Sequence, residues 1–135
     1  MADDVLMQKL ASIDRCVRQI AAYLDGDLSR LDDQLVQDAV VLNLQRACEQ
    51  AIDAASRVAS IRALGVPADS ADAFGVLERA GVLSSPVASR MKSMVGFRNV
   101  AVHAYRELDG DILRAVVRDR LGDFAALCRE LAAAT

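Results

Sequence analysis

A chain of 135 residues, 53% hydrophobic and 26% charged, is long enough for one domain with a packed core and too short for two comfortable ones. A net charge of -3 argues against coating duplex nucleic acid by bulk electrostatics, and few aromatics with no tryptophan favour packed helices over sheets. The charge is uneven. Residues 1–83 carry 8 basic and 13 acidic side chains and residues 84–135 carry 8 and 6, so a polyanion should prefer the C-terminal half.

The start, MADDVLMQKL, has acidic residues where a signal peptide would carry basic ones. No apolar run reaches the length of a membrane span, so the expectation is a cytoplasmic protein with no membrane attachment. Over residues 5–24 the apolar positions Leu6, Leu10, Ile13, Val17, Ile20 and Leu24 advance by three or four, the stripe of an amphipathic helix. The stretch DGDLSRLDD breaks it, and Asp32 or Asp33 can cap a second helix over residues 33–64. There Val36, Val40, Ala47, Ala51, Ala55 and Val58 mark one packed side, while Val41, Leu42, Leu44 and Ile52 widen it. A helix apolar on more than one side belongs at the centre of a bundle or at a subunit interface. Gly65, with Val66 and Pro67 behind it, stops this one.

Residues 68–83 read as a connector with a short helix, capped by Ser70, burying Phe74 and Leu77, and ended by Gly81. Ser85 as cap and Pro86 in the first turn start a third helix over residues 86–105, with Val87, Met91, Met94, Val95 and Val102 packed. Gly96 in its middle costs roughly 1 kcal/mol against alanine, for which close approach of another helix would compensate. Asp109 caps a fourth helix whose buried side is Leu113, Val117, Leu121, Phe124, Cys128 and Leu131, with Leu108 packing back on Ile112 or Leu113. The expected fold is all-α: one domain over residues 1–135, an antiparallel bundle of four main helices plus one short helix. Cys16, Cys48 and Cys128 are odd in number and widely spaced, and read as reduced core residues.

The chemistry concentrates in RNVAVHAY, Arg98 to Tyr105, which holds the single histidine. Asn99 and His103 are four apart and share a helix face, so Asn99 can orient the ring. Arg98 lies about 100° round from Asn99, with a side chain long enough to sweep toward the same groove. A guanidinium can hold a phosphodiester while an imidazole exchanges a proton with a ribose hydroxyl or a leaving oxygen. Such a pair can cleave RNA with no metal or cofactor, because the 2′-hydroxyl is an internal nucleophile. One histidine supplies one proton-transfer group where strand cleavage uses two, which a two-fold dimer would mend. The chain has no HExxH, clustered carboxylates, CxxC or glycine-rich phosphate loop, which removes zinc-peptidase, two-metal nuclease and P-loop readings.

Each residue also has an ordinary role open to it. His103 can be a surface or capping group, Arg98 can pair with an acidic neighbour, and Tyr105 can sit at the core edge with its hydroxyl in water. Met91 and Met94 read as packing, and Arg90 and Lys92 as a solvated face within reach of RNA.

The string Arg98-Asn99, then His103 and, two places on, Tyr105, in a short all-helical chain, resembles the HepT-like branch of the HEPN superfamily. These are ribonuclease toxins encoded beside small nucleotidyltransferase antitoxins. The resemblance covers nearly the whole chain and implies a homodimer with a composite, metal-independent cleft that cuts RNA. It implies Arg98 and His103 as the catalytic pair, Asn99 as their support, and neutralisation when the cognate nucleotidyltransferase transfers AMP to Tyr105. The competing readings are a noncatalytic helical module that binds a nucleotidyltransferase or a nucleotide, and a structural dimerisation domain. An adjacent nucleotidyltransferase reading frame would favour the toxin.

Overall fold

The computed structural model describes residues 3–105 and 108–134, and every regular element among them is helical. The helices are α1 (Asp4–Leu24), α2 (Gln34–Ile61), α3 (Asp72–Arg79), α4 (Ser85–His103), α5 (Gly110–Asp119) and α6 (Gly122–Ala133). A 3-10 turn over Leu28–Asp32 joins α1 to α2. The all-α bundle is therefore as expected.

Short acidic caps start the long helices. The Asp3 carboxylate accepts the Leu6 N–H at 2.8 Å, and Asp33 accepts those of Leu35 at 2.8 Å and Val36 at 3.4 Å. Asp3 also meets Arg57 at 2.8 Å, tying the first turn of α1 to the far end of α2. At the other end of α1, Asp25 (φ 49°) and Gly26 (φ 76°) turn the chain through the left-handed region.

Of the two places open to α2, the structure gives it the centre of the bundle: α1, α3, α4 and α6 all pack on it. Ala47, Ala51, Ala54, Ala55 and Ala59 are completely buried, and with nothing beyond Cβ they let neighbours approach on several sides. The apolar width of α2 is thus consumed within the protomer, although Leu42 stays partly exposed.

Several local expectations change. α2 ends at Ile61 rather than residue 64, because Ala63 already adopts φ 54° and the Leu64 N–H turns back to the Ala59 carbonyl at 2.9 Å. Ser70 does not cap α3. Asp69 accepts the Asp72 N–H at 2.7 Å, and the Asp72 carboxylate accepts that of Ala68 at 2.8 Å. Ser84, not Ser85, caps α4, its hydroxyl accepting the Val87 N–H. Val102 is exposed, and a side-chain carbon at Gly96 would meet none of the described residues within 4 Å. The expected fourth helix is two, α5 and α6, broken at residues 120–121. Both halves still bury their apolar sides: Leu113 and Val117 from α5, Phe124, Leu127 and Leu131 from α6. Asp109 caps α5 as expected. Phe74 and Leu77 are fully buried, Gly81 (φ 77°) closes the turn after α3, and the three cysteines are free.

Phe74 fixes the short α3 to the bundle with no exposed surface. Phe74→Ala should cost about 3–5 kcal/mol, read from the midpoint of urea unfolding at unchanged slope.

Candidate active site

α4 is held at three levels. At its start the Ser84 N–H and hydroxyl donate to the two oxygens of Glu130 on α6, at 2.6 and 2.9 Å. In its middle the Cys48 thiol of α2 points at the Met94 carbonyl, 3.9 Å away. Just past its end, Tyr105 bonds to α2. The residues between Met94 and Tyr105 are therefore placed by the bundle, not by α4 alone.

Arg98 is half-buried, and its charge reaches Cys48, opposing the burial that still pushes this thiol up to about 12. Its Nε is buried with no hydrogen-bond partner among the described residues. A desolvated donor left unpaired costs about 1–3 kcal/mol, and here it belongs to a guanidinium, the group best shaped for phosphate oxygens. Asn99 and His103 are both exposed, one helical turn apart as their spacing requires. His103 starts about 140° round an ideal helix from Arg98. The protomer accordingly keeps the cation half-buried and the imidazole in solvent.

α4 ends at His103, and Ala104 (φ -140°, ψ 43°) breaks the helical rotation. That break carries Tyr105 to the first turns of α2, where its ring sits at the core edge and its hydroxyl is bonded to α2 rather than standing free. The ring is half-buried against the core and the hydroxyl donates to the Asp38 carboxylate. Gln34 Nε2 donates to the Tyr105 oxygen at 3.2 Å and to Asp38 Oδ1 at 2.8 Å, closing a three-membered polar cluster. Burial first, then the hydrogen bond and charge of Asp38, raise the Tyr105 hydroxyl to about 12. The same bond, with a smaller contribution from Gln34, holds Asp38 below the usual carboxylate range. An open cavity of about 280 Å³ lies against the cluster, lined by Gln34, Gln37, Tyr105 and Leu108.

Sequence reasoning missed Gln34 and Asp38. Their spacing of four puts them on one face of α2, yet nothing local connects that face to residue 105. Of the solvated pair, Lys92 faces Glu78 of α3 at 3.7 Å. Arg90 lines a second cavity of about 400 Å³ between α4 and the α5–α6 arm, with Ser93, Phe97 and Arg120. Among the described residues no helix is long and apolar enough to cross a membrane.

A family model described as Ribonuclease HepT-like matches residues 13–131. The mRNA nuclease HepT of Shewanella oneidensis is 42% identical over 123 residues, spanning 90% of this chain and 92% of that protein. A solved structure of the tri-AMPylated S. oneidensis HEPN toxin in complex with MNT antitoxin matches with TM-score 0.92 at 39% identity, covering 98% of this chain and 99% of that one. A toxin–antitoxin structure with AMP-PNP matches with TM-score 0.91 at 38% identity, covering 97% and 99%. The fold and these matches together define a ribonuclease toxin of the HEPN type. Within that class, the chain belongs to the HepT-like ribonuclease family.

The polar cluster has a direct spectroscopic consequence. In a Tyr23→Phe variant, Tyr105 is the only phenol left. Its ultraviolet titration should centre near pH 12 and move down in Asp38→Asn. Because the folded value lies above the ordinary one, the stability linked to keeping this phenol neutral, from its burial first and the Asp38 bond second, is complete below about pH 10 and is lost as pH rises through about 12.

Proposed function

We propose that this protein is the toxin of a cytoplasmic toxin–antitoxin pair, an endoribonuclease that cuts RNA without a metal ion in a cleft shared by two copies of α4. A nucleotidyltransferase antitoxin silences it by transferring AMP to Tyr105. The observation that carries the reading is the desolvated Nε of Arg98, without a hydrogen-bond partner among the described residues, on the same helix as the solvent-facing His103.

The chemistry follows from those two environments. Arg98 binds a phosphodiester oxygen and neutralises charge that builds on phosphorus as the neighbouring 2′-oxygen attacks. His103 moves a proton at the attacking or the leaving oxygen, and Asn99 orients it. The second proton carrier is His103 of a second copy. Support for that copy comes from α4, not from α2: Gly96, Asn99, Val100 and His103 lie on one exposed face. Gly96 there has room for another helix, and Val100 keeps 47% of its surface in solvent. Tyr105 fits the acceptor role because its hydroxyl is held at an open cavity, and because the S. oneidensis relative is AMPylated in its complex with antitoxin. An attached AMP adds bulk and a phosphate charge that repels the RNA backbone.

The test is labelled RNA with purified, unmodified protein in EDTA. The wild type should cleave. His103→Ala and Arg98→Lys should each lose about 10²- to 10⁴-fold in rate. His103→Ala should keep the wild-type unfolding midpoint, and Arg98→Lys should unfold at a midpoint no lower than wild type, since lysine removes the buried donor left without a partner among the described residues. A wild type that binds RNA or the antitoxin without cutting would return the noncatalytic module.

The shared cleft has its own test in Gly96→Leu. The protomer has open space at this position, so the variant should gain about 0.5–1 kcal/mol of helix stability. Light scattering should show it monomeric at micromolar concentration, with RNA cleavage lost.

A further inference from the structure

Tyr105 does not reach solvent as a free phenol. Its hydroxyl hydrogen points at the Asp38 carboxylate and one of its lone pairs is taken by Gln34 Nε2 at 3.2 Å. The remaining lone pair is the one available to an incoming electrophile, and the 280 Å³ cavity beside it is open. Asp38 and Gln34 are both exposed, on successive turns at the start of α2. Gln34 donates to the phenol and to Asp38 at once, which fixes the angle between them, and an amide cannot itself take a proton at neutral pH.

We infer that Asp38 is the base for the toxin's own modification: it takes the phenolic proton as the Tyr105 oxygen accepts an adenylyl group from a nucleoside triphosphate. The inference rests on the reading of Tyr105 as the acceptor. In the step, the Tyr105 oxygen forms a bond to the α-phosphorus of ATP. The bond from that phosphorus to the oxygen bridging to the β-phosphate breaks, and pyrophosphate leaves. The phenolic proton passes along the existing hydrogen bond to Asp38. A carboxylate suffices because the proton becomes strongly acidic as the oxygen bonds to phosphorus, the role an aspartate fills toward substrate hydroxyls in protein kinases. Asp38 is ionised before the step, since its bonds to Tyr105 and Gln34 favour the charged form. The toxin thus supplies the base, and the partner enzyme supplies the activated nucleotide.

Asp38→Asn separates this role from a merely structural tie between α2 and the end of α4. Asparagine keeps an oxygen to accept from the phenol and cannot take the proton. The full chain, ATP, magnesium and the cognate nucleotidyltransferase are mixed, and AMP on Tyr105 is followed by intact mass, with Tyr105→Phe as the blank. The expected result is a kcat for transfer 10²- to 10³-fold below wild type, a KM for the toxin within about twofold, and at least tenfold recovery of kcat in Asp38→Glu. Wild-type or faster transfer in Asp38→Asn overturns the role of Asp38, as does equal kcat in the Asn and Glu variants. A wild type that gains no AMP, or gains it equally in Tyr105→Phe, overturns the acceptor reading instead.

Discussion

The alanines of α2 set the spacing on which the rest of the molecule depends. Ala47, Ala51, Ala54, Ala55 and Ala59 offer only a methyl each, so α2 accepts helices on several sides with no solvent between them. α4 is one of those helices, and its close seat on α2 leaves Arg98 half-buried with Nε cut off from water. The same seat brings the end of α4 within a hydrogen bond of Gln34 and Asp38. A larger residue at Ala51 or Ala55 would push neighbouring helices outward and loosen both arrangements at a distance.

Two separate electrostatic devices follow at the end of α4. The first is a half-buried cation on the same helix as an exposed imidazole, the pair that the proposed reading uses to grip a phosphodiester and exchange a proton. The second is the Gln34–Asp38–Tyr105 cluster, where a phenol donates to a carboxylate and an amide donates to both. They occupy adjacent stretches of chain because the helix stops between them. Were α4 to continue through Tyr105, the phenol would stand about 200° from His103 and could not be predicted to meet α2. The break at Ala104 redirects it. Once the Tyr105 oxygen is esterified it has no hydrogen to donate, and a phosphodiester anion beside Asp38 is repelled. On the proposed reading, modification therefore frees the tyrosine from α2 as well as enlarging it.

The face of α4 away from the core has a different character. Gly96, Asn99, Val100 and His103 mix a helix-weakening residue, a polar one, an apolar one and the imidazole. Among the described residues nothing lies within 4 Å of a side-chain carbon at Gly96. The expense of a mid-helix glycine is not repaid inside the protomer, which is why the shared-cleft proposal places its compensation between copies.

The periodicity of apolar residues sufficed for the long helices, because side-chain direction within a helix depends only on spacing along the chain. Asp33 and Asp109 were legible as caps for the same reason, since a cap acts over two or three residues. Arg98, Asn99, His103 and Tyr105 stood out as a motif in one short string. Competition among neighbouring candidates was harder to read: Ser84 over Ser85, Asp69 over Ser70, and the break between α5 and α6 were each settled by where the chain turned. Tertiary structure alone decided that α2 is central, that Gly96 is open, and that Arg98 keeps a buried donor with no partner among the described residues. It alone joined Asp38 to Tyr105 across 67 residues and Gln34 to Tyr105 across 71. No pattern within a few residues encodes such a meeting, which arises only when the packing of α4 against the alanines of α2 sets how far apart their ends lie.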